Sequence, residues 1–184
     1  MYIKPLDAHF EHNPDNNQSV IEFIKTRHYL KSMSKGNKHN FVLIKNNKII
    51  AAATFAYPTK LNNNDGTLEL KRFVMIDGKN NRCSMFLALC LRWLKTNTDY
   101  KKIITYADPE QKHDGTIYKA SNFQFIGKQK YQTPYFLIDG KKVYSRNVYC
   151  NGKKSILYKN YIKEKGLTVK YAKAKYIFEY DFNR

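Results

Sequence analysis

The sequence predicts an α/β (α+β) fold: a single domain with a mixed, mostly antiparallel central sheet flanked by helices, spanning residues 1–140, and a basic Tyr/Lys-rich extension packed on it over 141–184. Three observations point there. Short apolar runs bounded by Asn, Gly and Pro alternate with segments of helical period. The 184 residues, 42% hydrophobic and 15% aromatic, suffice for a core without disulfide staples. The longest unbroken apolar run, Met85 to Leu91, falls far short of the roughly 20 residues a membrane helix needs.

Each element has a local reason. Ser19 is an N-cap for a helix to about Leu30, with Val20, Phe23, Ile24 and Arg27 on spaced turns. Phe41–Ile44 and Ile49–Phe55 flank Lys45-Asn46-Asn47-Lys48, a hairpin signal. Leu68–Ile76 is a third strand. Asn81–Thr96 is the strongest helix, with Phe86, Leu87, Leu89, Cys90, Trp93 and Leu94 forming a broad apolar face. Lys102–Tyr106 is a strand that ends at Ala107-Asp108-Pro109, and a short helix follows over Gly115–Ser121. Phe123–Ile126 and Tyr135–Ile138 are read as closing the sheet, Ser155–Lys165 as a further helix and Lys175–Tyr180 as a last strand. The order strand, long helix, strand, short helix, strand resembles that of acyltransferases of the GCN5-related (GNAT) type.

Charge narrows the function classes. Lys and Arg number 33 against 15 Asp and Glu, a formal net charge of +18. A Lys-rich, AT-biased composition accounts for Lys over Arg but not for the scarcity of Glu, so a polyanionic partner is expected. Residues 124–184 hold 14 basic against 4 acidic side chains and nine of the fifteen tyrosines. There Lys141, Lys142, Arg146, Lys153 and Lys154 alternate with Tyr144, Tyr149 and Tyr158, a pattern suited to neutralising phosphates while rings stack on unpaired bases. The same pattern also fits a solvated basic face. Cys83, Cys90 and Cys150 form no CxxC pair, so reduced thiols and a cytoplasmic setting are expected. The first residues lack the apolar core of a secretory signal.

Several side chains are candidates for chemistry. Asp108 stands at the carboxyl end of a strand, where α/β sheets present ligands; it reads either as a base or metal ligand, or as a turn cap before Pro109. Tyr118 lies in the following helix, as a proton donor or a core aromatic with a wet hydroxyl. His28-Tyr29 ends the first helix, as base or metal ligand, or as a cation complementing the helix dipole. Strand alternation in Glu69-Leu70-Lys71-Arg72-Phe73 puts Glu69, Lys71 and Phe73 on one face, and Arg72 opposite, in need of an anion or carboxylate. Arg82 and Ser84 at the start of the long helix suit a phosphate or serve as ordinary capping.

Four segments taken together resemble the Mom family of phage DNA-modification proteins. They are His28-Tyr29, Glu69-Leu70-Lys71-Arg72, Ser84 with Phe86-Leu87, and Tyr106-Ala107-Asp108-Pro109-Glu110-Gln111-Lys112-His113-Asp114-Gly115-Thr116-Ile117-Tyr118. The resemblance implies a GNAT-like transferase that converts adenine in double-stranded DNA to an N6-carbamoylmethyl form and protects it from restriction. It implies catalytic roles for His28, Tyr29, Asp108 and Tyr118, and donor-linked positions at Arg72 and Ser84, with Arg82 beside them. Iron is implied as a possible cofactor, for which His28, Tyr29 and Asp108 are candidate ligands. Gly78 is the single glycine between strand and long helix, so two donors stay open: acyl-CoA, or an aminoacyl-tRNA such as glycyl-tRNA. Two other readings compete. A GNAT-like acyltransferase acting on a small molecule or protein leaves the charge unused, and a non-enzymatic nucleic-acid binder leaves His28, Asp108 and Tyr118 unexplained.

Overall fold

The computed structural model describes residues 1–13, 17–34, 36–58, 65–79, 81–144, 160 and 162–183. Arg146, Lys153, Lys154, Tyr149, Tyr158 and Cys150 lie outside the described residues. Of the helix expected over Ser155–Lys165, residues 160 and 162–164 are helical among those described. The chain forms two compact units: Met1–Tyr106 with Gly115–Ile126 and Ile177–Arg184, and Ala107–Asp114 with Gly127–Tyr176.

The first unit is built on an eight-stranded sheet of order β1-β2-β3-β4-β5-β6-β11-β7. Its strands are β1 (Tyr2–Ile3), β2 (Ala8–His12), β3 (Asn37–Lys45), β4 (Lys48–Ala56), β5 (Thr67–Met75), β6 (Lys102–Ala107), β7 (Gln124–Lys128) and β11 (Tyr176–Asp181). Pairing is antiparallel from β1 to β5 and parallel between β5 and β6. The β3–β4 hairpin turns at Asn46 and Asn47, both at positive φ (49° and 58°), the two-residue geometry that matches strand twist. The last strand, β11, lies between β6 and β7, and Tyr135–Ile138, expected to help close this sheet, belongs instead to a separate three-stranded sheet.

Helices cover both faces. In α2 (Arg82–Asn97), Phe86, Leu87, Cys90, Leu91 and Leu94 are buried at helical spacing, and each large apolar chain contributes about 1.5–3 kcal/mol. Phe86 meets Phe10 and Phe73, which places α2 on the face of Phe41, Ala53 and Phe73. On the other face, Val20 and Ile24 of α1 (Asn17–Arg27) pack on Val42 and Ala52. Gly115, at φ 85°, opens α3 (Thr116–Lys119); a Cβ there would stand 2.1 Å from Cζ of Phe178. A satellite cluster joins His12 Nε2 to His39 Nδ1 at 2.9 Å, with Trp93 stacked on His12 and Tyr100 edge-on to His39.

The second unit holds a three-stranded sheet of order β10-β8-β9: β8 (Pro134–Ile138), β9 (Lys141–Tyr144) and β10 (Lys170–Tyr171). The β8–β9 turn uses Asp139 and Gly140, again at positive φ, and Phe136 is fully buried. No helix among the described residues is long and apolar enough to cross a membrane.

Candidate active site

The chain leaves α1 in a tight turn that fixes His28 and Tyr29. His28 N–H donates to Ile24 O, and Lys31 N–H to His28 O. The His28 ring is buried and stacks on Tyr29 with centroids 4.5 Å apart. Its Nδ1 accepts the Leu30 backbone N–H at 3.1 Å. A nitrogen that accepts carries no proton, so the neutral ring holds its proton on Nε2. Charging the ring would set a second N–H against that of Leu30. With that bond kept, Nε2 is the ring nitrogen that donates.

β5 departs from plain alternation. Against β4, Phe73 pairs with Ala53, Arg72 with Thr54, Leu70 with Phe55 and Glu69 with Ala56, which leaves Lys71 as the extra residue of a bulge. Partners across a ladder share a face. Leu70 and Phe73 thus face α2, while Glu69 and Arg72 both face α1. Sequence alternation had separated Glu69 from Arg72, because one inserted residue reverses the phase beyond it.

Arg72 is held by the segment that follows α1. Its Nε donates to Ser32 O at 2.8 Å, Nη2 to Ser32 Oγ at 3.4 Å and Nη1 to Lys71 O at 2.7 Å. The guanidinium ties the segment carrying His28 and Tyr29 to β5. Beside it, Lys71 Nζ and Glu69 Oε2 stand 2.5 Å apart, their side chains 11% and 15% exposed. The β5–β6 ladder ends at Leu70 and Thr105, although both strands continue, so the two part just past Glu69. Tyr106, next along β6 on the Glu69 face, has its hydroxyl pKa pushed up by burial and by the Glu69 charge.

Tyr118 belongs to the opposite face. Its hydroxyl meets Thr105, whose own Oγ1 donates to Leu70 O, and its ring packs on Phe123 and Phe178. Burial raises its pKa, so it stays protonated. At the head of α2, Arg82 pairs with Asp77 at 2.8 Å and donates to Leu6 O, and Ser84 Oγ donates to Asn81 O. Both of the anion candidates there have partners within the chain.

Asp108 lies in the second unit. Its side chain accepts Glu110 N–H at 3.1 Å, and Oδ2 lies 3.3 Å from Lys175 Nζ, so it caps the turn over Pro109–Gln111. Glu110 accepts from Lys142 Nζ at 2.6 Å and from Lys173 N–H at 3.2 Å. Lys142 also lies over the Tyr135 ring, so of the two β9 lysines Lys141 is the exposed one with no ion pair among the described residues.

The donor set does not fit iron. His28 offers a protonated Nε2, and Asp108 already serves Glu110 N–H and Lys175. Among the described residues no group of three or more His, Cys, Asp or Glu could hold a metal ion.

Antiparallel strands that turn parallel at β5–β6, a bulge in β5, a long helix between those strands and ladders that part at their carboxyl ends define the fold of the GCN5-related N-acetyltransferases. A probable acetyltransferase from Staphylococcus epidermidis is similar at TM-score 0.56 and 9% identity, covering 95% of this chain and 98% of that one. The ribosomal-protein alanine N-acetyltransferase of Escherichia coli is similar at 0.56 and 10%, covering 95% and 94%. A GNAT family N-acetyltransferase of Escherichia coli in complex with CoA is similar at 0.50 and 10%, covering 65% and 69%. A search of curated proteins gives no match. The Mom protein family matches residues 11–183, and the chain belongs to that family.

Proposed function

We propose that this protein is a transferase that builds a carbamoylmethyl-type adduct on N6 of adenine in double-stranded DNA and so shields phage DNA from restriction in the host cytoplasm. The observation that carries the reading is the family match across residues 11–183 on an acyltransferase fold. The net charge of +18 supports a polyanionic substrate. Adenine N6 is a weak nucleophile because its lone pair is delocalised into the ring. The base must leave the stack, at a cost of a few kcal/mol, and be held while N6 loses a proton. His28, with Tyr29 stacked on it, and the Tyr106 hydroxyl beside Glu69 are the groups available for hydrogen bonding on one face of β5. Tyr118 supplies a protonated hydroxyl on the other.

The donor is an activated acyl group, on CoA or on a tRNA such as glycyl-tRNA; attack on its carbonyl carbon expels the thiol or hydroxyl and gives an N6-acyl adduct, and a glycyl adduct reaches the isomeric carbamoylmethyl form by rearrangement with no atom gained or lost. The turn ahead of α2 pairs its arginine with Asp77, which makes it a poor cradle for a pyrophosphate and favours the RNA-borne donor. Nucleoside mass spectrometry on DNA from cells expressing the protein tests the reading, beside Tyr118→Phe, which keeps the ring packed on Phe123 and Phe178 and removes the hydroxyl. A mass shift on deoxyadenosine, reduced by the variant, is expected. Unmodified DNA in cells rich in folded protein refutes it. The likeness to acetyltransferases favours a second reading, acylation of a small molecule or protein, which predicts acetyl-CoA consumption without DNA.

A further inference from the structure

We propose that β7 is the strand through which two copies of this chain associate, as an antiparallel pair centred on Ile126. β7 ends the eight-stranded sheet, so among the described residues β11 covers one side of its backbone and nothing pairs with the other. A bare edge is a template for another strand, and chains that avoid such pairing place proline or charge along it. β7 holds no proline, and its single charge is at its last residue, Lys128. Its middle is apolar: Phe125 and Ile126 are 52% and 53% exposed. Exposed apolar side chains on an open edge gain by being covered.

The occupant is a second copy because the strand is complementary to itself. In a pair centred on Ile126, the two Ile126 side chains meet, each Phe125 stands opposite the partner's Gly127, and each Gln124 opposite the partner's Lys128. Gly127 is at φ 138°, and a Cβ built on it would meet nothing within 4 Å. The space for the partner's Phe125 ring is therefore open, an aromatic covering an edge glycine. Phe125 touches Phe178 of β11, so alternation sets Gln124, Ile126 and Lys128 on the face of Glu179 and Asp181.

Charge agrees with the same register. Gln124, Glu179 and Asp181 line one pocket of about 560 Å³, together with Asn122, Phe123 and Tyr180. Glu179 has Lys102 at 3.5 Å, and Asp181 has no ion pair among the described residues. The partner's Lys128, opposite Gln124 and on the same face, reaches this pocket on its four-carbon stem. Within its own copy Lys128 is exposed and lies over the Tyr176 ring, a contact it can exchange for a carboxylate. The two-fold axis makes every contact twice, and a carboxylate pocket at one end of an edge strand with a lysine at the other is what such an axis requires.

The test uses purified full-length protein at physiological salt, where repulsion between two copies of charge +18 is screened beyond about 8 Å. Sedimentation velocity over a concentration series should show a monomer–dimer equilibrium. Ile126→Lys, with its fold checked by circular dichroism, should raise the dissociation constant about tenfold or more. Lys128→Glu should raise it severalfold, and Asp181→Lys added to that variant should restore much of the loss, which damage to the fold would not allow. Ile126→Cys should give a covalent dimer under mild oxidant, because opposed residues lie within the roughly 4.4–6.8 Å between Cα atoms that a disulfide spans. Gln124→Cys, about 13 Å from its twin in this register, should not. Wild type under the same oxidant controls for the native cysteines. A wild-type chain that stays monomeric throughout, or a dimer that Ile126→Lys leaves intact, overturns the proposal. Equal cross-linking of Gln124→Cys and Ile126→Cys, or a charge swap that restores nothing, overturns the register. No readout is enzymatic, so the outcome is independent of the transferase reading.

Discussion

The Arg72 clamp makes the most direct prediction. Arg72→Gln removes the Nε bond to Ser32 O at 2.8 Å and the weaker contact to Ser32 Oγ at 3.4 Å. A charge-assisted hydrogen bond contributes about 1.5–3 kcal/mol, and partial exposure moves this one to the lower end. About 1.5 kcal/mol is roughly a tenfold change in an opening equilibrium. Amides in residues 28–34 should therefore exchange with solvent about tenfold faster, read by hydrogen–deuterium exchange with mass spectrometry. Peptides from α2 should be unchanged. If the loosening reaches the whole unit, melting falls by about 3–6 °C for a chain of this size. Arg72→Lys keeps the charge but not the fork, and should match Arg72→Gln. Unaltered exchange over 28–34 in both variants refutes the clamp. Faster exchange in Gln but not in Lys would show that charge, rather than geometry, holds the segment.

Three more outcomes are expected. His39 is pushed down to about 4, first by burial and then by the His12 and Lys38 charges. Between 6.5 and 4 only the unfolded ring takes a proton, so stability is whole above that window and falls as pH drops through it. The loss is about 1–2 kcal/mol after discounting for the ring's partial exposure; urea midpoints at pH 7 and 5 measure it, and His39→Phe should flatten the slope. Gly115→Ala should destabilise by about 2–5 kcal/mol, combining a left-handed backbone with a clash at Phe178, and a melting curve equal to wild type sinks that account. Lys141→Ala should reduce the slope of log DNA affinity against log salt by about 0.9, while Lys142→Ala, already neutralised by Glu110, should change it little; the reverse order excludes Lys141 from the footprint.

Local pattern carried much of the fold. The apolar period over Asn81–Thr96 corresponds to α2 at Arg82–Asn97, and Asn46-Asn47 marked a hairpin because two residues at positive φ suit few side chains. The β1–β2 hairpin escaped notice because Ala8–His12 alternates buried and exposed positions with just two small or apolar residues inside. The site was half legible. Asp108-Pro109 marked a real strand end, and His28-Tyr29 a real helix end. The facing of Glu69 was not legible, since a bulge leaves no local signature and reverses every side chain beyond it. A Glu and a Lys two apart, with Arg72 next to them, in a strand otherwise mostly apolar were the available hint. Nor could a local reading place β11, whose neighbours are far away in sequence.

That placement has a consequence for biosynthesis. All of residues 129–175 must leave the ribosome after β7 before β11 can enter between β6 and β7. Until then β6 has an open edge on one side and β7 has no neighbour in the sheet. Loop closure over that distance is slow, and unpaired edges invite association. The nascent chain thus emerges with its sheet incomplete, and the sheet is sealed only once the final strand arrives. Tyr118 and Gly115, which rest on Phe178 of that strand, wait on the same event. Completion of this face of the first unit is thereby tied to the arrival of β11, and any shorter nascent chain lacks it.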